Sequence, residues 1–127
     1  LKLGIIISIG YAPEKIPLKQ EGIRTAIRLR TKKPAQIMTA NGTPTEPKQM
    51  PEWFNRGINA VLACPTAINK LPVVFDLTDG VVSASMPNQR HLVQDYDLGI
   101  SKLHFELAAD LKGTWELGQP GRFIVSE

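Results

Sequence analysis

The sequence predicts an α+β fold, a mainly antiparallel sheet flanked by helices. Three patterns point there. Leu1, Leu3, Ile5, Ile7 and Ile9 alternate along the chain with the period of a strand. Residues 73–85, VVFDLTDGVVSAS, set β-branched runs on either side of Asp79-Gly80, a pair that accepts the positive φ angles of a tight hairpin turn. Tyr96, Ile100, Leu103, Leu107 and Leu111 recur at steps of four, three, four and four, which places them on one face of a helix.

Taken in order, the first strand covers residues 1–9, with Ile6 on its second face and Gly10 at its end. A basic helix is expected over 17–30, where Ile23, Ala26 and Ile27 turn to a core and Arg24 and Arg28 share the opposite side at i, i+4 spacing. Residues 40–51, ANGTPTEPKQMP, hold Pro44, Pro47 and Pro51 and no apolar pattern, so they read as a connector. The helix expected over 51–64 opens on Pro51, which suits a first turn, and buries Phe54, Ile58, Val61 and Leu62. It ends at Cys64, because Pro65 disfavours helical geometry in the residue before it. Strands are expected at 73–77 and 81–85, a helix at 95–111 stopped by Gly113, and a last strand at 122–126 within RFIVSE. Standing alone, the helix over 51–64 and the opening strand would leave large apolar faces uncovered, so association with another chain or segment is expected.

A length of 127 residues and 43% hydrophobic content suit one domain, enough to bury roughly 65–70% of the unfolded surface. Fifteen basic residues against 12 acidic ones is ordinary surface mixing despite a pI near 9.2. Without an interleave of aromatic and basic residues, nucleic acid is the weakest class of partner. A single cysteine, Cys64, excludes an internal disulfide and fits a reducing compartment. The longest apolar run is far below the ~18 residues that span a bilayer, so a cytoplasmic location and no membrane partner are expected.

Two motifs bear chemistry. In CPTAINKLPVVF, Thr66 and Asn69 place a hydroxyl and a carboxamide on a bend between Pro65 and Pro72. Such a bend can hydrogen-bond a planar heteroaromatic ligand; equally, Thr66 can cap a short turn and Asn69 bond its own backbone, and spacing leaves both readings open. In RTKKP, Arg30 and Lys32 suit either charged bonds to a phosphate or a solvated helix end on the negative pole of the dipole.

CPTAINKLPVVF resembles the APSxxNxQPWxF segment of the nitroreductase family of flavin enzymes. IISIGYAPEK resembles that family's strand and Gly-Tyr-Pro turn, and RTKKP its late basic-x-basic-x-Pro element. DLGISKLHFELAAD and GTWELG resemble segments of a branch in which one longer chain carries two tandem copies of the core and imitates the family's homodimer. The order of these pieces implies that residues 1–34 end a first copy, 35–50 connect, and 51–127 form a second copy. The chain, which opens at Leu1 and lacks the family's N-terminal Arg-Ser-x-Arg element, is thus expected to be half of a two-lobed or dimeric body.

The resemblance implies an FMN-dependent oxidoreductase that passes electrons from NAD(P)H to a small-molecule acceptor of the nitro or quinone type. It also implies a site completed by the N-terminal half of the protein or by a second chain in a homo-oligomer. Carried over by position, Thr66 and Asn69 are the serine and asparagine equivalents that hydrogen-bond the cofactor, and Arg30 and Lys32 the two cations on its phosphate. Pro72 keeps the turn, while Leu71 stands for the usual glutamine, Lys70 for a frequent arginine and Val73 for tryptophan. Those departures imply the alternative, a nitroreductase-shaped scaffold or ligand-binding module without FMN.

No catalytic side chain is assigned, since the flavin ring itself carries this chemistry. Cys64 at the end of an apolar helix reads as a small buried hydrophobe, not as a nucleophile paired with His104. His91 and His104 have no acidic or thiol ligand at metal spacing, and no metal site is expected. His104 should make a hydrogen bond at the core edge, and Asp95 and Asp97 should serve the helix start.

Overall fold

The structure, a computed structural model, describes residues 9–11, 18–28, 32–66, 70–88 and 94–126. The expected opening strand falls almost wholly outside these residues, as do Arg30, Asn69 and His91.

The fold is α+β, with a mixed six-stranded sheet. Its most legible unit is the hairpin of β3 (Val74–Thr78) and β4 (Val81–Ser85), paired antiparallel from Val74↔Ser85 to Thr78↔Val81. Asp79 at φ 50° and Gly80 at φ 80° make the turn as read from sequence. Phe75, Val82 and Ala84 are buried while Val81 and Ser83 are not, so the alternation assigns one sheet face to the core.

Residues 35–50, expected as a connector, add two strands to this sheet. Ile37 and Met38 are fully buried; β1 (Met38–Ala40) runs parallel to β3, and β2 (Thr43–Pro44) folds back on β1. Asn41-Gly42, at φ 50° and 72°, makes the same kind of turn as Asp79-Gly80. Pro44 is tolerated because β2 is an edge strand, where a missing N–H breaks no ladder. The parallel β1–β3 pair makes the sheet mixed, though its other pairings are antiparallel.

One side chain ties these pieces together. The Asp76 carboxylate accepts hydrogen bonds from the hydroxyls of Thr39 on β1 and Thr78 on its own strand, and from the Gly42 N–H at 2.8 Å. Partial burial pushes this carboxyl up, but the three bonds outweigh it and hold it below the usual carboxylate range. Its folded proton affinity is below its unfolded one, so its contribution is complete above about pH 4 and is lost as pH falls through the lower folded value. Asp76→Asn should therefore flatten the acid limb of the melting temperature against pH. Superimposable acid limbs for the two proteins would overturn this.

Helix α2 (Glu52–Ala63) starts after Pro51 and buries Phe54, Ile58 and Val61, as the stripe predicts. It stops where Cys64 turns extended, at ψ 146°, ahead of Pro65. Helix α3 (Gln94–Ala109) crosses it, and Gly57 of α2 lies directly against the ring of Phe105.

The structure corrects two expectations about α3. Its core face is Leu98, Ser101, Phe105 and Ala109; of the expected stripe, Ile100 and Leu111 pack half-buried against the core, while Tyr96, Leu103 and Leu107 are 60, 53 and 71% exposed. The aromatic payload decides the rotation: Phe105 stacks on Phe75 at 4.7 Å and meets Phe54 edge-on at 5.3 Å. Ser101 is tolerated there because its hydroxyl donates to the Asp97 carbonyl at 2.7 Å. The helix also ends before Gly113. Asp110, at φ 56°, takes the left-handed cap, and the Leu111 N–H bonds the Glu106 carbonyl at 3.2 Å in the manner of a Schellman motif.

Gly113 instead opens β5 (Gly113–Trp115), an unforeseen edge strand paired with β6 (Gly121–Val125). The strand order is β2-β1-β3-β4-β6-β5. The basic helix appears as α1 (Leu18–Arg28), but Ile23 and Ala26, expected to face a core, are exposed. Among the described residues no helix is long and apolar enough to cross a membrane.

Candidate functional site

The parallel register of β1 and β3 decides which loops meet. Met38 pairs with Phe75, and the Phe75 N–H bonds the Ile37 carbonyl at 2.8 Å, so the segments entering the two strands emerge at the same end of the sheet. One entering segment holds Lys32 and Gln36; the other is the end of the proline-bounded bend, Lys70 to Pro72. Strand β4 exits at that end too, since Val74 pairs with Ser85, and brings Pro87 and Asn88. Together Lys32, Gln36, Lys70, Pro72, Val74, Pro87 and Asn88 line a cleft of about 500 Å³.

Local chemistry shapes each wall. Ahead of β1, a 3-10 turn at Pro34–Gln36 is fastened by the Lys33 N–H donating to the Gln36 side chain at 2.7 Å. This presents Lys32 at the cleft, where burial lowers its ammonium below the ordinary lysine value. In the bend, the Leu71 N–H donates to the Thr66 hydroxyl oxygen at 3.1 Å. Leu71 sits at φ 41°, a left-handed conformation costly for a branched residue, and its side chain is buried in the core at 4% exposure. Burial and the Thr66 bond together hold the backbone there.

Of the residues singled out by sequence, Lys32 lines the cleft and Thr66 closes the bend beside it, its oxygen engaged by Leu71. Arg30 and Asn69 lie outside the described residues. Sequence reasoning passed over Gln36 and Asn88, because nothing local marks a glutamine in a turn or an asparagine after a strand as facing a cleft. Lys70 was visible as a basic neighbour of Asn69, and it is the second cation of the cleft.

The other candidates have structural roles. Cys64 is buried, with Sγ 3.5 Å from the Ser101 hydroxyl, and burial pushes its thiol up, away from the reactive thiolate. His104 Nδ1 lies 2.9 Å from the Ile100 carbonyl, the hydrogen bond expected for it.

No curated protein and no solved structure matches this chain. A family model described as "Putative TM nitroreductase" matches residues 1–109, a span that includes the basic segment, both walls of the cleft and the whole of α3. The match covers most of the sequence, and the chain belongs to this nitroreductase family.

Proposed function

We propose that the chain is a nitroreductase-like flavoprotein that uses FMN to pass electrons from NAD(P)H to a nitro or quinone-type acceptor, in a cytoplasmic setting. Its site is complete only with the N-terminal half of the protein or a second chain. The observation that carries this reading is the cleft itself: Lys32 and Lys70 stand on two walls of one hollow next to the bend that resembles the family's flavin-binding segment. A volume of about 500 Å³ lies within the usual range of small-molecule sites.

The residues fit the group. Two ammonium groups suit a phosphate dianion, Asn88 and Gln36 offer amide donors, and Pro72 and Val74 give apolar wall. Bound there, FMN would supply the hydride-accepting ring. Lys32 and Lys70 hold the phosphate, with Arg30 beside Lys32 by resemblance. Thr66 keeps the bend in shape through Leu71, and Asn69 is placed by resemblance to bond the cofactor. The partner lobe closes the open side and excludes water.

Titration with FMN and with riboflavin, followed by quenching of flavin fluorescence, tests this. FMN should bind more tightly, and Lys32→Ala or Lys70→Ala should each weaken FMN by about tenfold while leaving riboflavin unchanged. A protein that stays colourless and takes up neither flavin, alone or mixed with its N-terminal half, would refute the proposal.

A second reading, a non-catalytic scaffold or ligand-binding module, is favoured by Leu71. Where the resembled segment has a polar glutamine, this chain turns an apolar side chain into the core. The same titration separates the two readings, since the scaffold takes no flavin.

A further inference from the structure

A second hollow, of about 540 Å³, lies between α3 and the loop joining β5 to β6. Gly99, Lys102, Leu103 and Glu106 fall at helical spacing on one face of α3, and that face forms one wall. Trp115 and Leu117 line the other side. Gly99 keeps the space open, since a Cβ there would meet no atom within 4 Å.

The charges in this hollow are not matched to each other. Lys102 is only 8% exposed, yet among the described residues its ammonium forms no ion pair. It donates to the Glu116 carbonyl at 3.2 Å and stands 5.3 Å from the centre of the Trp115 ring, which leaves part of its three-donor capacity unused. Burial lowers this ammonium below the ordinary lysine value, and the nearby Glu116 carboxylate offsets that only in part. A buried cation without a facing anion is costly, so the site favours a carboxylate brought by a ligand. One turn along the helix, Glu106 lines the same hollow and, among the described residues, is likewise in no ion pair. Glu116 is held by Arg122 at 2.7 Å, and Asp95 has an interaction of its own.

We propose that this hollow binds an apolar α-amino acid, with its carboxylate on Lys102, its ammonium on Glu106 and its side chain against Trp115, Leu103 and Leu117. Opposite charges one helical turn apart, with roughly 6 Å between their Cβ atoms, match the two ends of a zwitterion. A plain acid or a plain amine satisfies only one of them. The volume lies within the usual range of small-molecule sites, and an indole ring with two leucines suits a large apolar side chain. The hollow shares no lining residue with the Lys32–Lys70 cleft, and the proposal stands whether or not that cleft takes a flavin.

Calorimetric titration with phenylalanine, 3-phenylpropionate and phenethylamine tests the site, because the last two each lack one charge of the first. Phenylalanine should bind at least about tenfold more tightly than either. Lys102→Met should weaken phenylalanine and 3-phenylpropionate by about tenfold and leave phenethylamine unchanged. Glu106→Gln, at a half-buried position, should weaken phenylalanine and phenethylamine and leave 3-phenylpropionate unchanged. Gly99→Leu, whose side chain projects into open space, should abolish binding of all three with circular dichroism unchanged. A chain that takes up no phenylalanine at millimolar concentration, alone or mixed with its N-terminal half, would overturn the proposal. So would equal binding of the three probes, or phenylalanine binding that Glu106→Gln and Gly99→Leu leave intact. Binding that Lys32→Ala weakens would place the ligand in the other cleft and overturn it too.

Discussion

Replacing Phe105 with alanine should cost about 3–5 kcal/mol of folding stability, the range for deleting a fully buried aromatic. The ring is the hub of the core. It stacks on Phe75 at 4.7 Å, takes Phe54 edge-on at 5.3 Å and has Trp115 at 6.3 Å, so it joins α3 to α2, to the middle of the sheet and to the edge strand β5. Its neighbours are themselves large rings held by other contacts, such as Trp115 against Phe123 at 5.1 Å, and collapse into the cavity would be incomplete. With total stabilities of about 5–15 kcal/mol for single domains, the variant should be at the edge of folding. Urea unfolding is the measurement: a large fall in midpoint with unchanged slope is expected. A loss below about 1 kcal/mol would mean that α3 does not pack by this face.

Gly57→Ala should destabilise by about 1–3 kcal/mol, although alanine is the better helix former and Gly57 sits inside a helix. An added Cβ would lie 2.6 Å from two atoms of the Phe105 ring, closer than carbon atoms approach. The ring has little room to give way, because it is fully buried and stacked on Phe75. The cause can be isolated by a double-mutant cycle. Phe105→Leu removes the colliding ring edge, and in that background Gly57→Ala should cost far less than it does alone. Equal costs in both backgrounds would place the clash elsewhere.

How much of this was legible depended on the reach of each signal. The β3–β4 hairpin and the start and stop of α2 were readable because a dipeptide turn, a proline and a period are properties of adjacent residues. The β1–β2 hairpin carried the same signal in Asn41-Gly42, but strands of three and two residues show no alternation, and Pro44 counts against a strand unless its place at the edge is known. In α3 two apolar stripes compete. Counting positions selects the longer one, whereas packing selects the one with Phe105, and only the shape of the surrounding core distinguishes them. The cleft was half legible: Lys32 and the bend with its Lys70 were found by resemblance, while Gln36 and Asn88 join them only through strand pairing.

By itself, then, the sequence determined the α+β class, the hairpin at Asp79-Gly80, the buried stripe of α2 and the family resemblance. These rest on local periodicity, turn chemistry and short motifs. Tertiary structure decided that β1 lies parallel to β3, that Lys32 and Lys70 share one cleft, and that α3 turns Phe105 inward and Leu103 outward. The reason is physical. Strand register and helix rotation are set by contacts between residues far apart in the chain, where volume, aromatic stacking and the pairing of backbone groups outweigh any local preference.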